Sequence, residues 1–320
     1  MRGLLAGALT ACLSAGLAYA QGYPNHTVRI VSPYAPGGGT DIMARTLAQK
    51  LTESLGQSVV VENRSGGGGI VGIDSVAKAA PDGYTILLGS KGPLTMNPAL
   101  HSKLPYDTLR DLAPISLVGS VPAVLVVHPS LSVKSVPALI ALARARPGEL
   151  TFSSSGTSGT GHLSGELLAT LAKVKLVHVP YRGTGPATIA VLSGELTFGF
   201  GNLVAVSPHV QSRRLQALAV TSARRLAAAP DLPTVAEAGV AGYEYVTWYG
   251  VLAPAATPRD IIARLNAEIV KITRQPEMRQ RLGGEGGEVV GSSPEEFAAY
   301  LRSELKASAE LVKSANLRAE

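Results

Sequence analysis

The feature of this 320-residue sequence that most constrains its fold is an apolar strand, a glycine turn and a helix within residues 28–51. Residues 28–31 are mostly apolar and β-branched, which is typical of a buried strand. Met43, Leu47 and Leu51 then recur at a spacing of four, which predicts a helix with one apolar face. The chain therefore passes from a buried strand into a packed helix, as it does in α/β proteins.

The turn between this strand and helix consists of three glycines, Gly37, Gly38 and Gly39. Thr40 is the candidate N-cap of the helix, and Asp41 lies in its first turn, where a carboxylate complements the helix dipole. Glycines leave the helix end open, so that backbone N–H groups could hold an anion without a cationic side chain. The same glycines could instead serve only the dihedral angles of a tight turn.

A second unit of this kind follows about 120 residues later. Residues 150–153 predict a strand, residues 154–161 form a turn of serine, threonine and glycine, and residues 162–171 predict a helix. The hydroxyl groups of this turn could donate to a carboxylate beside the backbone N–H groups. An ordinary flexible Gly/Ser loop is the alternative. Two such units that face each other would hold both ends of a dianion.

The strands and helices alternate in a rhythm that predicts an α/β sheet. Residues 58–62 and 84–88 predict further strands, with a helix at 71–80 between them, so we expect parallel strands with right-handed crossovers. Ligands bind at the carboxyl ends of such strands, which places Tyr34, residues 37–40 and Ser90 at one rim. The pattern G-x-G-x-x-G at residues 67–72 has no acidic residue at the ribose-binding distance, so no dinucleotide cofactor is expected.

Two long β-rich runs, at residues 115–127 and 243–252, indicate that the chain crosses twice between two domains. The predicted first lobe comprises residues 21–121 and 249–320, and the predicted second lobe comprises residues 122–248. We place the hinge near residues 121–124 and 246–250.

The first twenty residues predict an export signal rather than part of the fold. Arg2 precedes an apolar run that is short for a membrane span, and cleavage is expected after Ala20. A lipoprotein attached through Cys12 is the alternative. Cys12 is the only cysteine, so no disulfide is expected in the mature chain.

Several function classes are excluded by what the sequence lacks. The formal net charge is +6, but the basic residues are scattered, so no nucleic-acid partner is expected. No pair among the six histidines has the spacing of a zinc site, which predicts no metal. No nucleophile elbow or P-loop occurs. A secreted hydrolase that pairs a serine of the second turn with His162 remains as an alternative to a binding protein.

The sequence resembles a known family over nearly the whole mature chain. The resemblance is carried by VRIVSPYAPGGGTDIMARTLAQKL, VVVENRSGGGG, APDGYTILLGS, GHLSGELL, VPYRGTGPA and LPTVAEAG. These segments resemble the Bug receptors, the TctC-like substrate-binding proteins of tripartite tricarboxylate transporters. The resemblance implies a periplasmic, monomeric α/β protein with the two-lobe Venus flytrap fold, in which each lobe is a mostly parallel sheet flanked by helices and two crossover strands form the hinge. It also implies a binding protein without catalysis or cofactor.

The family holds a carboxylate through backbone groups and bridging waters, and its ligands include dicarboxylates, tricarboxylates, acidic amino acids and aromatic acids. The implied residues of the first lobe are Tyr34, Gly37, Gly38, Gly39, Thr40 and Asp41. Those of the second lobe are Ser154, Ser155, Gly156, Thr157, Ser158 and His162. We add Ser90, Tyr181 and Asn202, which follow predicted strands. A charge clamp by Arg182 is the alternative to this cradle. The implied partner is a membrane permease, and a sensor kinase is the alternative partner.

Overall fold

The strand–turn–helix units build two separate sheets in the computed structural model, which describes residues 22–181 and 183–314. The strands in chain order are β1 (Val28–Ser32), β2 (Val59–Asn63), β3 (Thr85–Ser90), β4 (Leu112–Pro122), β5 (Val124–Val127), β6 (Thr151–Ser154), β7 (Val177–Pro180), β8 (Phe198–Gly201), β9 (Gln216–Val220), β10 (Val246–Pro254) and β11 (Glu288–Val289). The helices are α1 (Gly39–Leu55), α2 (Ile70–Ala77), α3 (Asn97–Leu100), α4 (Val136–Ala145), α5 (Thr160–Ala172), α6 (Thr184–Leu192), α7 (Leu203–Gln211), α8 (Arg259–Thr273), α9 (Pro276–Gly284) and α10 (Pro294–Ser314). A π turn, Gly92–Met96, connects β3 to α3.

The first lobe is a six-stranded sheet in the order β11-β4-β10-β3-β1-β2. β1 is parallel to both of its neighbours, whereas β10 is antiparallel to β3 and β4. Met43, Leu47 and Leu51 of α1 are at most 2% exposed in the core of this lobe. Their spacing of four places them on one face of the helix, which explains why α1 packs on the sheet directly after β1.

The second lobe is a five-stranded sheet in the order β7-β6-β8-β5-β9. β6 is parallel to β7 and β8, and β5 is antiparallel to β8 and β9. Leu163, Leu167 and Leu168 of α5 join the core of this lobe with Phe152 of β6. The two-lobe α/β class is therefore confirmed, but both sheets are mixed rather than mostly parallel, because the strands that cross between the lobes run against their neighbours.

The chain passes between the lobes at two adjacent points. β4 of the first lobe continues into β5 of the second through Ala123, and β10 begins at Val246 opposite Pro122. Thr221 joins these points, because its N–H donates to the Ala123 carbonyl at 2.9 Å and its carbonyl accepts from the Tyr245 N–H at 2.8 Å. The boundaries at residues 121/122 and 248/249 and the hinge positions stay predictions.

The last helix contacts both lobes. Phe297 and Leu301, near its start, belong to a core cluster of the first lobe with Trp248. Leu311 and Val312, near its end, pack against a core cluster that is formed mostly by the second lobe and includes Met96 of the first. α10 is therefore a further connection between the lobes, separate from the crossover strands. The sequence Ser293-Pro294-Glu295-Glu296 predicts a capping box at its start, and the structure has one, since the backbone N–H groups of Ser293 and Glu296 each donate to the other residue's side chain, at 2.8 and 3.1 Å.

Two helix starts differ from the sequence-based expectation, and one helix was not expected. Thr40 is not the N-cap of α1, because that position is Gly38 and Thr40 already lies within the helix. The preference of proline for the first helical position predicts a helix start at Pro186, but α6 begins at Thr184. α7 was not predicted, since its nine residues contain Pro208 and carry only a weak apolar pattern.

No helix in the described ranges has both the length and the apolar character needed to span a membrane. Within the same ranges no group of three or more metal-ligating side chains comes together. The predicted signal segment, residues 1–20 with Cys12 and Ala20, lies outside the described residues, and so does Arg182.

Candidate functional site

The two glycine turns face each other across a cavity that encloses about 50 Å³ between the lobes. The first lobe contributes the ends of β1 and β3, the start of α1 and part of β10. The second lobe contributes the turn after β6, the starts of α5 and α6, and the end of β8. The lining residues are Tyr34, Ala35, Gly38, Gly39, Thr40, Ser90, Gly92, Ala123, Ser155, Ser158, Gly159, Thr160, Gly161, Gly183, Thr184, Ala187, Phe200, Asn202, Thr247 and Tyr249.

Three helices that reach the cavity begin at a glycine N-cap and have no side-chain cap. These N-caps are Gly38 of α1, Gly159 of α5 and Gly183 of α6. The first N–H groups of a helix have no partner within the helix, and here no N-cap side chain accepts from them either. Each helix end therefore presents N–H donors and the positive end of its dipole to the cavity, which favours an anion.

Hydroxyl groups supply further donors. Ser158 is fully buried, and its Oγ has no hydrogen-bond partner among the described residues. Its φ of 62° lies in the left-handed region, which is unfavourable for serine, so the turn holds this residue against its local preference. Burial raises the pKa of Tyr34 to about 12, although a hydrogen bond with Ser90 opposes the shift, so the phenol remains a protonated donor at neutral pH.

Among the described residues, no charged side chain lines the cavity. Lys91, which follows Ser90 directly, forms a salt bridge of 3.0 Å with Glu304. Arg45 forms a salt bridge of 3.0 Å with Asp41. Since these two cations are paired elsewhere, the described wall of the cavity can bind an anion only through N–H and O–H groups.

Eight of the fifteen predicted site residues line the cavity. They are Tyr34, Gly38, Gly39, Thr40, Ser90, Ser155, Ser158 and Asn202. Gly156, Thr157 and Tyr181 border a neighbouring groove between the lobes instead, and the Tyr181 hydroxyl donates to Glu195 at 2.8 Å. The remaining four are not among the lining residues: Gly37 and Ser154 belong to the two turns, and Asp41 and His162 lie in the helices that follow them. Whether any of the fifteen binds a ligand stays a prediction.

Asp41 stabilises the glycine turn. Its Oδ2 accepts from the Gly37 N–H at 2.9 Å and from Arg45 Nε at 3.1 Å, and its Oδ1 accepts from Asn63 Nδ2 at 2.9 Å. Burial opposes ionisation of Asp41, but the hydrogen bonds from Arg45, Gly37 and Asn63 outweigh it and lower the pKa of this carboxyl. A lowered pKa means that Asp41 stabilises the fold above its unfolded pKa and loses this contribution as the pH falls through its folded pKa.

We expect Asp41→Asn to lower the free energy of unfolding by about 1–3 kcal/mol, because an amide NH₂ replaces one acceptor of these buried donors. Affinity for a ligand should change less than threefold. Urea unfolding at neutral pH and calorimetry measure the two effects, and Glu53→Gln on the exposed side of the same helix is the control. A large loss of affinity at unchanged stability would place Asp41 in the binding site.

His162 stabilises the second turn from behind. Its Nδ1 accepts from the Ser158 N–H at 3.1 Å, and its ring stacks on His178 with 4.1 Å between the ring centroids. Burial and, to a lesser degree, His178 lower the pKa of His162 from 6.5 to about 3. The neutral imidazole therefore accepts a hydrogen bond from the backbone of the strained Ser158 and holds this residue in place. It does not provide a cation for the ligand.

His162 should make the protein less stable in acid. Between pH 6.5 and 3 the unfolded chain binds a proton at this residue that the folded chain does not, so stability falls as the pH falls, by up to about 1.4 kcal/mol per pH unit. His162→Asn retains an acceptor for Ser158 and does not titrate. Unfolding free energies from pH 4 to 6 should therefore depend on pH less steeply in the variant, by roughly one proton. Equal slopes would show that His162 is not neutral in the fold.

Sequence reasoning missed the third helix N-terminus and the part of the cavity that comes from β10. A signal for the helix was present, since a Gly-Thr pair occurs at residues 39–40, 159–160 and 183–184, where α1, α5 and α6 begin. Tyr249 and Thr247 had no such signal. They reach the cavity only because β10 lies between β3 and β4.

Comparisons with known proteins agree with this geometry. Residues 43–317 match the family model described as TctC, tripartite tricarboxylate transporter family receptor. The protein BugT of Bordetella pertussis is 39% identical over 285 residues, which cover 89% of this chain and 87% of BugT. The structure of R. palustris Rpa4515 with adipate has a TM-score of 0.89 and 36% identity, and the match covers 92% of this chain and 99% of that one. MatC from Rhodopseudomonas palustris with bound malate has a TM-score of 0.86 and 31% identity, over 91% and 100% of the two chains.

Proposed function

This chain belongs to the tripartite tricarboxylate transporter receptor family, and we propose that it binds a small organic carboxylate between its lobes and delivers it to the membrane permease of such a transporter. The observation that carries the proposal is the convergence of three uncapped helix N-termini on one cavity without charged lining side chains among the described residues. A carboxylate accepts several hydrogen bonds and gains from all three helix dipoles, whereas a neutral solute gains little from the dipoles.

The size of the cavity favours a short ligand. The enclosed 50 Å³ correspond to about four water positions. Adipate and malate are the ligands named for two relatives of known structure. Of these two we propose malate, the shorter, as the better fit to the closed cavity. The unpartnered hydroxyl of Ser158 is the side chain that we expect to donate to it.

The hydrolase alternative pairs a serine of the second turn with His162, but His162 Nδ1 accepts from the Ser158 backbone N–H, and the hydroxyl–imidazole contact of this turn is that of Ser154 with His178. Ser154 Oγ lies 2.6 Å from His178 Nε2, a distance typical of a nucleophile and its base. Ser154 is only 2% exposed, however, and its Oγ also accepts from the Gly156 N–H at 3.1 Å. Since neither Ser154 nor His178 lines the cavity, we propose that the pair shapes the turn and that no reaction is catalysed.

A thermal-shift screen tests the binding proposal. At 100 times Kd a ligand should add about 2.7 kcal/mol of stability, so malate should raise the melting temperature in proportion to the logarithm of its concentration. Malamide, which has the same shape without carboxylates, is the control and should have no effect. Ser158→Ala should weaken malate binding by about tenfold, since it leaves an oxygen of the anion unpaired. No shift with malate, adipate or other short carboxylates would overturn the proposal.

The site of action and the delivery step are part of the same proposal. We infer export, cleavage after Ala20 and action as a periplasmic monomer. If the protein serves transport, deleting its gene should abolish uptake of the bound carboxylate, and adding back the chain should restore it. If uptake is unchanged while a sensor kinase loses its response, the protein signals instead.

A further inference from the structure

Glu285 occupies an unfavourable position in the first lobe. It is only 7% exposed and is the C-cap of α9, where the negative end of the helix dipole repels a carboxylate. Burial raises the pKa of Glu285, against the opposing effects of Arg281 and Asn202. No salt bridge connects Glu285 to a cation within the described part of the chain. A carboxylate buried in this way lowers the stability of the fold, which indicates that it has a functional role.

The partner of Glu285 lies in the other lobe. Asn202 follows β8 and is the N-cap residue of α7, yet its side chain does not cap that helix. Asparagine is among the best capping residues, so this use of its side chain is unusual. Its Nδ2 donates instead to Glu285 Oε2 at 3.2 Å. The bond connects the second lobe to the first at the edge of the cavity.

Asn202 also lies beside the first-lobe wall of the cavity. A methyl group built on Gly39 would overlap the Tyr249 hydroxyl and lie 2.8 Å from Asn202 Nδ2. The amide of Asn202 therefore fits between Tyr249 and Glu285, both of which belong to the first lobe. Glu285 itself does not line the cavity. Its effect on a ligand must therefore be exerted through the position of Asn202.

We propose that Glu285 is a positioning residue that holds the lobes closed by accepting the Asn202 amide. This proposal rests on the proposed function in one respect, namely that closure of the lobes retains a bound ligand. The hydrogen bond exists only while the lobes are in contact, so it stabilises the closed form and not either lobe alone. Loss of Glu285 should speed ligand release and leave ligand entry unchanged, since release requires that the lobes separate.

A test without ligand uses a pair of introduced cysteines. A Cβ built on Gly38 lies 3.9 Å from the Cβ of Thr184 across the cleft, within the range of disulfides. In the chain with Gly38→Cys and Thr184→Cys, the rate of disulfide formation reports the fraction of time that the lobes are closed. Glu285→Ala should lower this rate about tenfold. Glu277→Ala, at an exposed glutamate in the first turn of the same helix, is the control and should leave the rate unchanged.

A double-mutant cycle tests whether Glu285 acts through Asn202. Asn202→Ala should lower the trapping rate as much as Glu285→Ala does, and the double variant should be no slower than either. Glu285→Ala should unfold at the same or a higher urea concentration than the parent chain, because it removes a buried carboxylate. Additive losses, or a loss of stability that accompanies slower trapping, would overturn the proposal. Because no ligand is present, failure of malate to bind would count against the proposed function alone.

Discussion

Replacing Gly92 with alanine is expected to abolish ligand binding while the lobes remain folded. Gly92 opens the π turn after β3, and a methyl group there would overlap the Ser158 carbonyl oxygen of the other lobe and lie 3.0 Å from its carbonyl carbon. The obstacle is backbone, and His162 holds that backbone through the Ser158 N–H. Neither the added methyl group nor the Ser158 backbone can move aside, so the lobes should no longer close.

Alanine at position 92 should not destabilise the first lobe, to which this residue belongs. The φ angle of Gly92 lies outside the left-handed region, and alanine is favoured over glycine in helical backbone. We therefore expect malate affinity to fall at least a hundredfold, about 2.8 kcal/mol, with an unchanged or higher urea midpoint. Calorimetry and urea unfolding measure the two quantities. Gly283→Ala, which adds a methyl group in open space on α9, is the control. Normal binding by Gly92→Ala would mean that the closed arrangement is not the ligand-bound one.

The second large effect is expected from oxidising the Gly38→Cys and Thr184→Cys pair. Cys12 is the only native cysteine, so residues 22–314 offer no competing thiol. Gly38 has φ −85° and ψ 168°, an extended conformation that cysteine adopts without strain. Once formed, the disulfide should prevent the lobes from separating. Malate bound before oxidation should then stay bound for hours, and an empty oxidised protein should bind none.

Retention of labelled malate through a desalting column measures this lock. Dithiothreitol should restore exchange. The Gly38→Cys single variant, whose malate affinity is measured first because Gly38 lines the cavity, should exchange malate before and after oxidation. Rapid exchange by the oxidised double variant would show that ligand enters without separation of the lobes.

The fold was largely predictable because its units are local. The apolar spacing of α1 and the β-branched run of β1 each describe structure within a few residues, and both are confirmed. The mixed character of the sheets was not predictable in this way. It depends on β10 pairing between β3 and β4, and residues paired in this way, such as Leu87 and Leu252, are far apart in sequence.

The candidate site was predictable only in its backbone part. Glycine turns before helices can be read directly from the sequence, and two of the three were found. The direction of a side chain could not be found in this way. Asp41 bonds Asn63, an amide 22 residues further on, and this contact turns its carboxylate towards the Gly37 N–H and away from the cavity. Gly92 was missed because its importance comes from the Ser158 carbonyl of the other lobe.

The position of α10 changes how the two lobes can separate. A protein with only two crossover strands could swing open about them, as in other hinged proteins. Here the start of α10 is embedded in the first lobe through Phe297 and Leu301. Its end packs, through Leu311 and Val312, against a cluster that is formed mostly by the second lobe and includes Met96 of the first. The helix therefore acts as a tether, and the width of the open mouth is limited by how far its last turns can slide or detach. Substitution of Leu311 or Val312 is thus expected to change how far the lobes open without altering any residue of the cavity.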